Sequence, residues 1–104
     1  MKTNCTLIFD IGKTNQKYFV FDENLGVLDK GQTNISTIQD EDGYPAEDIK
    51  EIVQWMKTNF ERLLYSDLFE IKNSNISAHG ATLVHLDSEG EVVTPVYDLS
   101  LIHI

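Results

Sequence analysis

Apolar residues come in short runs at the start of the chain, and polar turns separate the runs. The segment Cys5 to Ile11 is almost entirely apolar, which is typical of a strand covered on both faces. Aromatic and β-branched residues fill Lys17 to Phe21, and a third strand is predicted from Val27 to Gln32. Because the links are short, we expect these three strands to form an antiparallel meander.

The middle of the chain has the spacing of an amphipathic helix. Pro45 suits a first helical turn, and Glu47 and Asp48 add the negative charge favoured at a helix N-terminus. Apolar residues then recur at spacings of three and four, namely Ile49, Ile52, Val53, Met56, Phe60, Leu63 and Leu64. One helix is therefore predicted from about Pro45 to Tyr65.

Three further strands are predicted after the helix. Ile76 to Ala78 follows a polar break and is expected to run parallel to an earlier strand, because a helix connects the two. Ala81 to Leu86 and Glu91 to Val96 are expected to pair as a hairpin. The element order is thus β-β-β-α-β-β-β, a mixed α/β sheet with one main helix.

The composition is that of a globular domain, and its charge narrows the range of partners. The 104 residues are 41% hydrophobic and 24% charged, which suits one domain. With 17 acidic and 8 scattered basic residues, the net charge of -9 disfavours binding to nucleic acid or to an anionic membrane. No apolar stretch is long enough to span a membrane and no signal-peptide pattern is present, so we expect a cytoplasmic protein.

The turn between the first two strands carries the first candidate chemistry. A carboxylate at the carboxyl end of a buried strand, as at Asp10, is well placed to hold Mg²⁺. Gly12 lets a phosphate approach the backbone, and hydroxyl, amide and ammonium groups follow it. The predicted phosphate-binding residues are Asp10, Gly12, Lys13, Thr14, Asn15 and Lys17. The pattern is short, and a simple polar hairpin turn is the alternative.

The second candidate is the interruption at His79 and Gly80 between two predicted strands. A glycine break can turn an imidazole into a cleft and leave room for a hydroxylated ligand. His79 could then exchange hydrogen bonds with a hydroxyl group of that ligand. The alternative is that His79 only satisfies backbone groups at a strand end.

These two segments resemble the FGGY carbohydrate kinases, a branch of the sugar kinase, heat-shock ATPase and actin superfamily. Phe9 to Lys17 is similar to the first phosphate motif of that family, which more often has Thr or Ala where this chain has Lys13. Ile76 to Asp87 is similar to the segment that lines the sugar pocket. The resemblance implies a ribonuclease-H-like, actin-like ATPase half-domain over residues 1–98, incomplete at its end, with residues 99–104 as a non-native or disordered tail.

The resemblance also implies a function. The parent protein would transfer the γ-phosphoryl group of ATP to a sugar hydroxyl, with Mg²⁺ held at Asp10 and the sugar held by His79, Gly80 and Ala81. The catalytic base would be an aspartate further along the polypeptide, so this part alone would be inactive. The resemblance also allows the full-length parent to assemble as a homodimer.

Two other functions stay open on the sequence. One is a complete, non-catalytic actin-like or phosphate-binding module that acts through a partner. The other is a different phosphotransferase of the superfamily, such as an acyl-phosphate kinase, although the His79-Gly80 segment favours a sugar.

Overall fold

A computed structural model describes residues 1–80 and 82–97. A four-stranded sheet of order β3-β2-β1-β6 forms the centre, and a small pair of strands, β4 and β5, lies apart from it. The strands are β1 (Thr3–Ile11), β2 (Gln16–Phe21), β3 (Val27–Thr33), β4 (Ile38–Gln39), β5 (Pro45–Ala46) and β6 (Phe69–Ala78), and the helix α1 is Ile49–Leu64. The fold class is confirmed as a mixed α/β sheet with one helix among the described residues.

The meander of β1, β2 and β3 forms as the hydrophobic pattern predicts. Both neighbouring pairs are antiparallel, with Leu7 opposite Val20 and Phe9 opposite Tyr18. These four side chains are buried and define the helix face of the sheet. Side chains alternate along a strand, so the residues between them point the other way. Ile8, Asp10, Lys17, Phe19 and Phe21 are partly exposed and define the open face.

Helix α1 packs its apolar stripe on the helix face. Ile52 and Leu63 are buried in the same core cluster as the strand residues. Trp55 lies at the edge of the stripe, and its ring meets Phe9 edge-on with centroids 5.8 Å apart. The aromatic residues of the helix therefore serve the core, as the spacing predicts.

The helix begins later than predicted. Pro45 belongs to β5, where it pairs with Gln39, and the first helical residue is Ile49. Asp48 is the N-cap, and its carboxylate accepts a hydrogen bond from the Glu51 backbone N–H at 3.3 Å. An N-cap acid competes with a first-turn proline as a start signal, and here the acid sets the boundary.

Strand β6 is longer than predicted and runs parallel to β1, as expected. It includes the polar residues 72–75, which the sequence pattern predicts to be a break before the strand. These residues are exposed because β6 lies at the edge of the sheet. An edge strand exposes side chains that a central strand would bury, so its polar residues do not interrupt it.

The hairpin predicted after His79 is reduced to bridges in the described residues. Leu86 and Val92 form an isolated antiparallel bridge, and the Val93 N–H donates to the His85 carbonyl at 3.0 Å. The segment pairs locally without extending the sheet, so the last two strands of the predicted order were wrong. The tail 99–104 and Ala81 lie outside the described residues.

Cys5 is buried in β1, as expected for a small apolar residue. Burial raises the pKa of its thiol, which disfavours the reactive thiolate. Across the described residues, no helix is long and apolar enough to cross a membrane.

Candidate functional site

Asp10 lies near the carboxyl end of β1, on the open face. Its neighbours in register are Lys17 on β2 and Ser77 on β6. Residues that pair across strands point to the same face, so a carboxylate, an ammonium and a hydroxyl line up across the sheet. A cavity of about 340 Å³ is lined by Lys17, Phe19 and Lys30 on the same face. This end of the open face thus combines one acid with two cationic groups.

The turn after β1 is tight. The Gly12 N–H donates to the Asn15 carbonyl at 2.9 Å, which closes the turn. A Cβ on Gly12 would lie 2.8 Å from that carbonyl oxygen, so a larger residue would force the backbone to shift. Lys13 and Thr14 are exposed at the tip, and the Asn15 amide donates to the Thr14 hydroxyl at 3.4 Å. The turn therefore presents the hydroxyl, amide and ammonium groups of residues 13–15 next to Gly12, where the backbone is too close for any larger residue.

Gln16 supports this turn from behind, a role that the sequence analysis missed. It is fully buried on the helix face, opposite Ile11. Its amide donates to the Gly12 carbonyl at 3.3 Å and accepts from the Ile35 N–H at 2.9 Å. The available signal was a polar residue at a position where strand alternation demands a buried side chain.

His79 follows β6 directly and joins the end of β1. Its N–H donates to the Ile11 carbonyl at 3.0 Å, which continues the β1–β6 pairing beyond the strand. Its ring Nδ1 lies 3.1 Å from the Gly80 carbonyl oxygen, and Nε2 lies 3.9 Å from Glu47 Oε1. Glu47 is buried just before α1. The sequence pattern indicates for Glu47 only the negative charge favoured at a helix start, and no sequence spacing links it to His79.

The structure brings the two predicted segments to one end of the sheet. Because β1 and β6 are parallel, the turn and the His79-Gly80 segment both follow carboxyl ends of strands, where open α/β sheets bind ligands. Asp10 lies on the open face, whereas His79 turns toward Glu47 at the start of α1. Of the predicted sugar-binding residues, Ala81 lies outside the described residues.

The side chains at this end of the sheet suit a metal ion that binds together with a ligand. No group of three or more His, Cys, Asp or Glu residues that could hold a metal occurs in the part of the chain described. Mg²⁺, however, is commonly held by one or two carboxylates together with water and phosphate oxygens. Asp10 fits that mode of binding, because Gly12 has no side chain and lets a phosphate approach the backbone beside it.

A second polar cluster joins the loop after β4 to the end of the described chain. The Asp40 carboxylate accepts backbone N–H bonds from Asp42 and Tyr44 and a hydroxyl bond from Tyr97. The Tyr97 bond lowers the pKa of Asp40, and the same bond raises the pKa of Tyr97. Glu41 and Asp42, which follow Asp40 in this loop, are exposed.

The comparisons with known proteins place these segments in a family. A sequence model of the FGGY family of carbohydrate kinases, N-terminal domain, matches residues 5–98. The chain therefore belongs to the FGGY family of carbohydrate kinases. No curated protein sequence matches it significantly.

Several solved structures share the fold. Gluconate kinase from Lactobacillus acidophilus superposes with a TM-score of 0.70 at 24% identity, covering 88% of this chain and 19% of that chain. Ligand-bound xylulose kinase from the same organism gives 0.71 at 23%, with coverages of 89% and 19%. Plasmodium falciparum glycerol kinase with ADP gives 0.68 at 19%, with coverages of 91% and 20%. The present chain thus spans about a fifth of the length of these kinases.

Proposed function

We propose that this chain is the N-terminal part of an ATP-dependent carbohydrate kinase that transfers the γ-phosphoryl group to a sugar hydroxyl. The observation that supports this most is the hydrogen bond from the His79 N–H to the Ile11 carbonyl. It fixes the proposed sugar segment beside the proposed phosphate turn. A kinase needs its acceptor and its phosphate donor side by side, because most of the catalysis comes from positioning and charge neutralisation.

The turn after β1 forms the phosphate side of the proposed site. Asp10 would hold Mg²⁺, which when bound neutralises phosphate charge during transfer. Gly12 allows close approach, and Thr14 and Asn15 donate to phosphate oxygens. Lys17, in register with Asp10, balances further negative charge, and Lys13 at the exposed tip contacts phosphate or the sugar. The nucleotide is proposed to be ATP, since a fold relative was solved with ADP.

The segment after β6 forms the sugar side. His79 would exchange hydrogen bonds with a sugar hydroxyl, and Gly80 and Ala81 would leave room for the sugar ring or chain. A Cβ on Gly80 would meet nothing within 4 Å, so the space beside it is open. The acceptor class is proposed from fold relatives described as gluconate, xylulose and glycerol kinases.

The general base is proposed to lie in a later part of the polypeptide, on a second wall of the cleft. Residues 1–98 then form an N-terminal domain, residues 99–104 lie outside it, and the 104-residue chain alone has no turnover. The parent kinase is proposed to be cytoplasmic, with sugar and ATP as its partners, and without nucleic-acid or membrane binding.

Phosphate transfer in a longer polypeptide tests this proposal. The reading frame is extended downstream of this chain, and transfer from radiolabelled ATP is measured with D-xylulose, D-gluconate and glycerol. We expect transfer to at least one of them, with kcat/KM reduced about 100-fold or more by Asp10→Asn, as for the loss of one charge-stabilising group.

Asp67→Asn is the matched control, because Asp67 is an exposed acid in the bend after α1. It should retain full activity. Activity retained in Asp10→Asn would show that Asp10 does not hold the metal, and absence of transfer to all three sugars would count against the kinase proposal.

A further inference from the structure

Two lysines on neighbouring strands line the same cavity on the open face of the sheet. Lys17 lies on β2 and Lys30 on β3. The cavity has a volume of about 340 Å³, which is within the range of small-molecule sites. The whole chain has 17 acidic and 8 basic residues, yet the described residues that line this cavity include two lysines and no acid. The cavity is therefore locally cationic in an acidic chain.

Strand register brings four side chains together at this cavity. Gln32 is the partner of Lys17, and Lys30 is the partner of Phe19. Partners in register point to the same face, and diagonal positions lie about 7 to 8 Å apart, within reach of long side chains. The Phe19 ring stacks on Phe21 with centroids 5.8 Å apart, which holds it in place. Two ammonium groups and one amide can thus converge on a ligand beside a fixed aromatic ring.

The charges of the two lysines are not neutralised within the described part of the chain. No carboxylate oxygen there lies within 4 Å of the Nζ atom of Lys17 or Lys30. Asp29 precedes Lys30, but its carboxylate lies on the helix face and accepts a hydrogen bond from the Tyr18 hydroxyl at 3.2 Å. Asp10 is in register with Lys17, on the side of β2 away from β3. Two neighbouring like charges repel each other, and a bound anion relieves that repulsion.

We propose that Lys17, Lys30 and Gln32 bind a phosphate group carried by a small molecule. All three side chains donate hydrogen bonds and two of them are positive, so the cavity selects an anion. A phosphate group offers more acceptor oxygens and more charge than a carboxylate, so it suits three converging donors better. Its source is either a nucleotide or a separate phosphomonoester. Lys30 and Gln32 belong to neither proposed motif, so this site goes beyond the proposed function.

NMR titration of the 104-residue chain with inorganic phosphate tests the inference. Phosphate should shift the amide signals of Lys17, Lys30 and Gln32, and acetate at equal ionic strength should not. Lys30→Met should weaken phosphate binding about 10-fold, the effect of losing a hydrogen bond to a charged group. Lys50→Met is the matched control, because it removes the same charge from an exposed position on α1 and should bind nearly as the unaltered chain does.

Gln32→Met separates a direct contact from an effect of net charge, because it leaves the charge of the chain unchanged. It should weaken phosphate binding about 3-fold, through the loss of one neutral donor. Unaltered binding in Lys30→Met or in Gln32→Met overturns the inference. Equal losses in Lys30→Met and Lys50→Met, or equal shifts with acetate and phosphate, overturn it too, since they would show a general charge effect.

The same titration with ATP and with glycerol 3-phosphate identifies the source of the phosphate. Tighter binding of ATP that is weakened by Lys30→Met assigns the site to a nucleotide phosphate, and the same result with glycerol 3-phosphate assigns it to a separate phosphomonoester. Absence of shifts at Lys30 with all three phosphate compounds overturns the inference. The kinase proposal would still stand, because phosphate transfer and Asp10→Asn test it separately.

Discussion

Gly12 and Gln16, one on each side of the β1–β2 turn, determine its shape. Only the role of Gly12 is evident from the sequence. Gly12 could be predicted, because a glycine after a strand-terminal acid indicates a close approach of backbone or ligand. Gln16 could not, because its two hydrogen-bond partners, Gly12 and Ile35, are 4 and 19 residues away. Sequence patterns indicate which face a residue occupies, but they do not indicate which backbone groups it meets there.

Gly12→Ala should destabilise the chain by about 1 to 3 kcal/mol, because the new Cβ would meet the Asn15 carbonyl oxygen at 2.8 Å. The free energy of unfolding in urea measures this. Gly80→Ala is the control, because its Cβ would enter open space, and it should change stability by less than about 0.5 kcal/mol. Equal effects of the two changes would contradict the tight turn.

Gln16→Met should cost about 2 kcal/mol, because it leaves the Gly12 carbonyl and the Ile35 N–H without their side-chain partner. Urea unfolding again provides the measurement. Gln32→Met, at an exposed position on β3, should be nearly neutral. If both substitutions are neutral, Gln16 does not support the turn.

At the scale of elements, the pattern of apolar residues identified β1, β2, β3 and α1 correctly and failed where burial changes. The polar residues of β6 are compatible with a strand because the edge position leaves them exposed. The two strands predicted after His79 do not form in the described residues, where the structure shows only isolated bridges. Strand formation depends on a neighbour to pair with, and a single sequence does not reveal which edges are available.

The start of α1 depends on Asp48. Asp48→Ala should lower the free energy of unfolding by about 1 kcal/mol, since it removes the acceptor for the Glu51 N–H. Asp67→Ala, which changes an exposed acid outside the helix, should have an effect below about 0.5 kcal/mol. If Asp48→Ala leaves the free energy of unfolding unchanged, the helix does not begin at Asp48, and a start nearer Pro45, as the sequence predicts, would be favoured.

At the scale of the whole molecule, the bond between Asp40 and Tyr97 joins segments 57 residues apart. The pKa of Asp40 is lowered in the folded chain. Ionised Asp40 therefore contributes to the free energy of unfolding above its unfolded pKa of about 3.9, and this contribution is lost as the pH falls through the folded pKa. The pKa of Tyr97 is raised, so its contribution is present below about 10 and is lost as the pH rises through the folded value.

Tyr97→Phe should therefore lower the urea midpoint at pH 7 and have a smaller effect at about pH 2.5, because the stabilising contribution of the ionised Asp40 declines below its unfolded pKa of about 3.9. Urea unfolding at the two pH values checks this, with Tyr44→Phe as the control at an exposed tyrosine. An equal loss at both pH values would mean that Tyr97 stabilises the chain through packing and not through this bond.

The candidate site also belongs to this scale, because it depends on two strands far apart in the sequence. The two motifs could be found by resemblance, but their meeting depends on the parallel pairing of β1 with β6. The Glu47 contact depends in addition on where α1 begins. Neither is encoded in the spacing of the motif residues.

An amide-resolved NMR titration of the 104-residue chain with D-xylulose, D-gluconate and glycerol tests the central claim most directly. If a sugar binds where β1 and β6 end, at least one probe should shift the amide signals of Gly12, His79 and Gly80 together, and leave β3 at the far edge of the sheet unchanged. Absence of any shift with all three probes, or shifts confined to β3, would contradict it.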